Sequence, residues 1–349
     1  MSVPAKVAVN GYGTIGKRIA DAVMKSSDFK LVGVTKYNFD YSVVLAQHRG
    51  IKVFVPREKI TEFKERGVEP EGTVEELVNE AELVFDASPA KQGLKNKELY
   101  VKYNRPAIFQ GGEPPEVAEV SYSTLCNYKS AIGRKYVRVV SCNTTGILRI
   151  LCSLPGNVVS AFITIVRRSS DPREDLKGPV NSILVESPIP SHHAVDVRSV
   201  IDSIPITTVS LVVPTTLMHV QVVRLELRDR GTRDELIALL ESSRRVLFVS
   251  TSLTGVNTSG KLVELARDAG RPRYDIYENV VFEDTFSIHG REVVFVQAIH
   301  QESIVIPENL DAAYALLGLE EDPLRVVEKT NKALGIGDLK DLITSSSKT

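Results

Sequence analysis

The chain has 349 residues, more than one small core can serve, so two domains are expected. Hydrophobic residues at 43% and charged residues at 25% are ordinary for a globular protein, and a net charge of -1 gives no electrostatic case for binding nucleic acid. No apolar run is long enough to cross a bilayer and no basic-then-apolar leader is present, so the expectation is a soluble cytoplasmic protein without a membrane partner.

The first element in chain order is a strand over Lys6 to Val9, which runs into Gly11-Tyr-Gly13-Thr-Ile-Gly16 and then a helix from Ile15 to Lys25. This is the context that a dinucleotide fingerprint requires. Gly11 makes the tight turn, Gly13 lets the backbone approach a pyrophosphate, and Gly16 packs helix on strand, so Gly11, Gly13, Thr14, Ile15 and Gly16 are candidate cofactor contacts.

A second strand, Leu31 to Thr35, should end in a carboxylate if the ribose 2'-hydroxyl of NAD is to be held. It ends instead in Thr35-Lys36, an ammonium with a neighbouring hydroxyl, which suits a 2'-phosphate and leans towards NADP or use of both NADP and NAD. After an irregular stretch come a helix from Thr73 to Asn79, a strand from Leu83 to Asp86, a helix from Lys95 to Tyr103, and strands from Ala107 to Gln110 and Val137 to Val140. Such alternation predicts a doubly wound, mostly parallel sheet of the Rossmann type, with ligands at the carboxyl ends of the strands. Gly11, Lys36, Ser88, Gly111, Gly112 and Cys142 all fall at those ends.

Cys142 follows Val139-Val140-Ser141 and precedes a helical pattern that includes Ile147, Leu148, Ile150 and Leu151. A cysteine at a helix start meets unpaired N–H groups and the positive end of the macrodipole, which favour the thiolate and predict a nucleophile near neutral pH. The other cysteines are Cys126 and Cys152. Cys152 lies about 15 Å along the helix from Cys142, so those two cannot pair. A Cys126–Cys152 pair stays open, with free thiols the default for cytosol.

Beyond this helix the chain turns β-rich, over Ala161 to Val166, Thr207 to Val213, Leu217 to Leu227, Val246 to Val249, Val280 to Phe286 and Val293 to Ile299. Two helical patterns interrupt it, Arg233 to Leu240 and Ser259 to Ala269, and the turn at His289-Gly290 is tight. The expectation is an α+β domain with a mainly antiparallel sheet. Ser169 to His193 reads as a long functional or disordered loop, helices return from Pro307, and Ser345 to Thr349 reads as a frayed tail.

Taken together, Asn10-Gly-Tyr-Gly-Thr-Ile-Gly16, Phe109-Gln-Gly-Gly-Glu113, Ser141-Cys-Asn-Thr-Thr145, Val166-Arg-Arg168, Ser191-His-His193, Pro214-Thr-Thr-Leu-Met-His219 and His300-Gln-Glu-Ser303 resemble the archaeal-type glyceraldehyde-3-phosphate dehydrogenases over nearly the whole chain. The resemblance implies a nucleotide-binding domain over residues 1–141, a catalytic domain over 142–300, C-terminal helices over 301–349 that return to the first domain, and a homotetramer. It also implies that Cys142 is the nucleophile and His219 the general base. Ser141, Asn143, Thr144, Arg167, His192 and His193 would line the substrate and inorganic phosphate sites. Gly112, Arg168 and Gln301 would join the cofactor contacts. On the residues alone His192, His193 and His300 compete with His219, and no carboxylate or cysteine spacing beside the histidines supports a metal.

The implied reaction is the reversible phosphorylating oxidation of glyceraldehyde 3-phosphate, through a thiohemiacetal and a thioester on Cys142. The rival readings are aspartate-semialdehyde dehydrogenase or a related acyl-phosphate reductase, and a non-enzymatic nucleotide or redox sensor. Two adjacent arginines with a histidine pair suit a phosphorylated substrate better than a carboxylate.

Overall fold

The computed structural model describes residues 3–170, 178–179 and 181–345, with no side-chain placement at 344 and 345. Part of the long loop expected from Ser169 and nearly all of the expected frayed tail therefore lie outside the described residues. The chain divides into two compact units. One is Met1–Val140 with Ile306–Leu334, and the other is Ser141–Val305 with the chain from Gly335 onwards. The stretch that the resemblance treats as one C-terminal segment is thus divided. Leu339 is fully buried in a cluster with Met218, Leu247, Val280 and Phe282, which ties the last helix to the second unit.

The first unit is built on strands β1 (Ala5–Asn10), β2 (Phe29–Thr35), β3 (Val53–Val55), β4 (Gly72–Thr73), β5 (Leu83–Asp86), β6 (Ala107–Phe109), β7 (Val120–Tyr122) and β8 (Tyr136–Val139). They lie in the order β4-β3-β2-β1-β5-β6-β8-β7, and every pairing is parallel. The near-continuous apolar runs follow from burial on both faces. On one face Ala8, Val32, Phe54, Leu77, Val84, Tyr100 and Phe109 share a core.

Where the sequence reads as irregular after Lys36, the structure has a helix at Tyr41–His48, β3, a helix at Ile60–Glu65, and β4. These elements are too short to show periodicity, and Tyr41–His48 buries only Ser42, Val43 and Ala46. The helix Val74–Glu80 is better signposted, because Thr73 and Glu76 form a reciprocal capping box.

The second unit carries β9 (Val158–Arg168), β10 (Leu184–Val185), β11 (Ile206–Val213), β12 (His219–Leu227), β13 (Val246–Val249), β14 (Asn279–Phe282), β15 (Ser287–His289) and β16 (Glu292–Ile299). Their order is β10-β11-β9-β12-β16-β14-β13, with β15 on β16. The pairs β11/β9 and β13/β14 are parallel and the rest antiparallel, so the sheet is mixed and mainly antiparallel.

Several details differ from expectation, among them the strand expected over Val280 to Phe286, which stops at Phe282 and passes into a 3-10 turn at Glu283–Thr285. β12 begins at His219 rather than Leu217, because Met218 has a left-handed φ of +53° that breaks the extended run. Helices at His192–Arg198 and Thr251–Thr254 add to the two expected in this region.

Candidate active site

In the first unit the glycine loop has the required geometry. Gly11 has φ +105°, and a Cβ there would lie 2.6 Å from the Ala87 carbonyl oxygen, so only glycine fits. A Cβ on Gly16 would meet the Gly11 carbonyl oxygen at 1.8 Å, which is the close helix–strand approach of the fingerprint. Gly13, the N-cap of helix Thr14–Lys25, faces open space and no side chain caps that helix. The first-turn N–H groups around Thr14 and Ile15 therefore have no side-chain cap, an arrangement that can accept an anion. Gly112 sits in the turn after β6, where a Cβ would come to 3.1 Å from that of Ala90.

Thr35 is fully buried, and its hydroxyl works inside the protein. It accepts from the Gly11 N–H at 2.7 Å and donates to Asn10 Oδ1 at 2.6 Å. It thus braces the glycine loop, instead of standing beside Lys36 as a second phosphate donor. Lys36 is itself engaged, donating to Asp40 at 2.7 Å and to Ser42 at 2.9 Å.

In the second unit the site is assembled by strand register. β9 ends at Arg167 and Arg168, beside the start of β12 at His219. His219 also pairs with Ile299 at the end of β16, after which His300, Gln301 and Glu302 follow. Inward-facing residues of β12 begin His219, Gln221, Val223, so the imidazole and one amide share the buried face.

The helix Cys142–Ser153 starts with the cysteine, and its N-cap Ser141 makes no capping bond. Ser141 Oγ instead shares a hydrogen bond with Thr144 Oγ1 at 2.8 Å, and its N–H donates to Asp196 at 3.3 Å. Cys142 is the free cysteine among the described residues, while Cys126 and Cys152 are disulfide-bonded, against the expectation of free thiols there.

Cys142 as a residue is partly exposed, yet the enclosure of its sulfur by neighbouring atoms pushes the thiol up to about 11. Arg168, the Asn143 N–H and Arg167 pull the other way, and Glu302 adds to the rise. Desolvation of the anion outweighs the helix start, so the resting group is a thiol and not the neutral-pH thiolate that the motif alone implies. Cys142 and His219 are acted on by the same three charges, Arg167, Arg168 and Glu302, which puts them in one electrostatic neighbourhood.

His219 is buried and stays neutral, held well below the usual imidazole range by desolvation and by Arg168, Arg167 and His193. Its Nδ1 accepts from the Arg168 backbone N–H at 3.0 Å. A neutral imidazole accepting at Nδ1 carries its proton on Nε2. The free edge of the ring therefore presents a donor, whereas the general base expected at this position would need Nε2 bare.

His193 follows the opposite pattern. Gln221 donates to Asn143 Oδ1 at 3.0 Å, which turns the Asn143 Nδ2 towards His193 Nε2 at 3.4 Å. His193 then keeps its proton on Nδ1, facing Ser191 Oγ at 3.2 Å, and burial with the charges of His192 and Arg167 lowers it to about 3. The His192 ring lies 3.9 Å from that of His193, both at the start of helix His192–Arg198 rather than in a loop.

Arg167 pairs with Glu186, and its Nε is buried without a hydrogen-bond partner. Arg168 donates to the Ser170 carbonyl and stands 3.6 Å from Glu302. Glu302 accepts in turn from His300 Nε2 at 2.8 Å. The His300 Nδ1 is occupied by the Ile276 N–H at 3.1 Å, which commits His300 to holding Glu302. The buried Oε1 of Gln301 has no hydrogen-bond partner.

Sequence reasoning missed a chain of buried amides beneath Cys142. Asn279 Nδ2 donates to Gln297 at 2.9 Å and to the Gly146 carbonyl at 2.7 Å, Gln297 donates to Gln221 at 2.8 Å, and Gln221 donates to Asn143. It also missed Glu302 and Asp196. Among the described residues no group of three or more His, Cys, Asp or Glu could hold a metal ion, and no helix is long and apolar enough to cross a membrane.

A parallel sheet with a glycine-loop helix start, and a second unit in which a lone thiol heads a helix amid imidazoles and guanidiniums, define a nicotinamide-dependent dehydrogenase that works through cysteine. Comparison with known proteins narrows the class. Residues 141–263 match the family model described as glyceraldehyde 3-phosphate dehydrogenase, C-terminal domain. The chain is 48% identical over 335 residues to the glyceraldehyde-3-phosphate dehydrogenase of Hyperthermus butylicus, covering 95% of this chain and 97% of that one. It is 47% identical to that of Metallosphaera sedula, over 95% and 98% of the two chains, and 45% identical to that of Saccharolobus solfataricus, over 95% and 97%. The chain belongs to the glyceraldehyde-3-phosphate dehydrogenase family.

Proposed function

We propose that the chain catalyses the reversible, phosphorylating oxidation of D-glyceraldehyde 3-phosphate to 1,3-bisphosphoglycerate with NADP or NAD. The observation that carries this reading is the free thiol of Cys142 at an uncapped helix start, under the shared influence of Arg167 and Arg168. Aspartate-semialdehyde or another carboxylate substrate is disfavoured by the density of cationic and imidazole groups, and a sensor without chemistry would not need the thiol.

The Cys142 proton leaves to solvent, and the sulfur lone pair forms a C–S bond with the aldehyde carbon while the carbonyl electrons move to oxygen. First-turn N–H groups and the His219 Nε2–H hold that oxyanion. The adduct is already an alkoxide, so its collapse to the thioester needs no further base. When bound, the oxidised nicotinamide supplies the acceptor for the hydride lost from the same carbon. An oxygen of inorganic phosphate then attacks the thioester, the C–S bond breaks, and the thiolate returns to Cys142.

In this reading Ser141, Asn143 and Thr144 shape the carbonyl end of the site. Arg167 and His192 hold phosphate groups, the unpartnered Nε of Arg167 being a donor that such an oxygen would satisfy, while His193, expected to join them, has both ring nitrogens engaged by Asn143 and Ser191 and supports His192 from behind. The cofactor is held by Gly11, Gly13, Thr14, Ile15 and Gly16 on its pyrophosphate, by Gly112, and by Lys36 at the 2' position, with Thr35 bracing the loop. Arg168 and Gln301 serve the nicotinamide end, Gln301 offering an unpartnered acceptor to the carboxamide. A cytoplasmic homotetramer completes the reading.

Steady-state absorbance of the reduced nucleotide, with glyceraldehyde 3-phosphate and each nucleotide, tests it. Turnover that depends on inorganic phosphate supports the reading, and turnover only with aspartate semialdehyde replaces it. Light scattering on the purified protein tests the tetramer.

A further inference from the structure

The cation at the end of β2 is not a solvated arm. Lys36 is 9% exposed, and its ammonium is clamped between Asp40 Oδ2 at 2.7 Å and Ser42 Oγ at 2.9 Å. Asp40 is fixed in its turn as the N-cap of helix Tyr41–His48, accepting from the Ser42 N–H at 2.8 Å and from the Ser42 hydroxyl. About a third of the Asp40 side chain remains open to solvent while the ammonium beneath it is covered. Burial alone would raise the carboxyl, but the bonds from Lys36 and Ser42 outweigh it and hold the group at about 2, so it is ionised throughout the working range. The end of β2 thus presents an ion pair of near-zero net charge, with the carboxylate as its more exposed half.

We propose that Asp40 is the specificity-determining residue of the cofactor site, supplying from the following helix cap the carboxylate absent from the end of β2 and disfavouring a 2'-phosphate. The inference rests on the reading that Lys36 stands at the 2' position of the adenosine ribose. A 2'-hydroxyl meets a carboxylate that can accept from it, as in nucleotide sites selective for NAD. A 2'-phosphate meets the same carboxylate as a like charge, and gains Lys36 only by taking it from Asp40. Use of both nucleotides then reflects a lysine shared between two anions, and the NADP lean implied by Thr35-Lys36 is moderated by a residue four positions on.

Adenosine 2',5'-bisphosphate and adenosine 5'-monophosphate are the probes, titrated calorimetrically into the full-length protein and the variants Asp40→Asn and Lys36→Met. Neither probe involves nicotinamide or turnover. Asn keeps the helix cap while removing the charge, and thermal unfolding of each variant checks folding. In Asp40→Asn the ratio of bisphosphate to monophosphate affinity rises about tenfold, and in Lys36→Met it falls. A fall in Lys36→Met with an unchanged ratio in Asp40→Asn overturns the role of Asp40 and leaves Lys36 at the 2' position. An unchanged ratio in Lys36→Met removes Lys36 from that position, and the inference goes with it. If Asp40→Asn melts early, Asp40→Ser, which also caps, gives the same reading.

Discussion

The Arg168 backbone N–H donates to Nδ1 of His219, and this one bond decides which edge of the imidazole faces chemistry. With Nδ1 occupied, the ring has no ready way to hold a second proton, and desolvation and the nearby arginines add to the resistance. A neutral donor stabilises an oxyanion without changing charge itself.

The pH dependence of kcat/KM follows from that state and from the thiol. Cys142 sits at about 11, so the thiolate fraction, and with it the rate, rises nearly tenfold per pH unit well below that value. No inflection is expected near the ordinary histidine value of about 6.5. His219→Asn should lower kcat by roughly 10²-fold or more, the usual range for a donor to the oxyanion, without moving the profile. An inflection near neutrality that disappears in His219→Asn would restore the general-base role.

Arg167 predicts a binding effect. Replacing it by Ala should raise KM for glyceraldehyde 3-phosphate or for inorganic phosphate by roughly tenfold or more, as a charge-assisted bond is worth about 1.5 to 3 kcal/mol. The same change releases Glu186, so Glu186→Gln serves as the control. Unchanged KM for both ligands in Arg167→Ala would limit this arginine to its pairing with Glu186.

The amide chain predicts coupled losses. Gln221→Leu leaves the Gln297 Nε2 and the Asn143 Oδ1 without their partner, at about 1 to 3 kcal/mol for buried groups left unpaired. The double variant Gln221→Leu/Gln297→Leu should cost less than the sum of the singles, since one shared bond is lost only once. Strict additivity in chemical denaturation would show that the amides act independently.

Gly146 predicts a rescue. A Cβ there would come to 2.6 Å from Ile299 Cδ1 in a fully buried contact, so Gly146→Ala should destabilise by about 1 to 3 kcal/mol despite the better helix propensity of alanine. Ile299→Val deletes that methyl and should recover most of the loss in the double variant. A Gly146→Ala protein as stable as the parent contradicts the close helix–sheet packing.

The buried histidines predict acid sensitivity. His193 and His219 are neutral when folded and titrate near 6.5 when unfolded, so below that pH the unfolded chain binds more protons. Stability is therefore fully present above about 6.5 and lost as pH falls, the His193 share continuing towards about 3 at up to about 1.4 kcal/mol per pH unit. His193→Gln should flatten the fall in unfolding temperature between pH 7 and pH 5. An equally steep fall in that variant places the acid sensitivity elsewhere.

What was legible in the sequence is what local chemistry writes there. The glycine loop, the cysteine at a helix start and the arginine pair each depend on a few consecutive residues. Gln221, Gln297 and Asn279 were not legible as a unit, since their bonding depends on the register of β12, β16 and β14. Helix Tyr41–His48 has too short a buried face to announce itself, although Asp40 two residues before Ser42 was a readable cap. The acidity of the thiol is illegible for a related reason: a motif reports the helix start, whereas desolvation depends on everything folded around it.

In the proposed reaction Cys142 carries the acyl group. Incubating the protein with glyceraldehyde 3-phosphate and oxidised nucleotide in the absence of phosphate, followed by acid quench and peptide mass spectrometry, tests it directly. A 3-phosphoglyceroyl adduct is expected on the peptide containing Cys142, absent in Cys142→Ser and discharged when inorganic phosphate is added. An adduct on another residue, or reduced nucleotide formed by Cys142→Ser at the parent rate, would contradict that role.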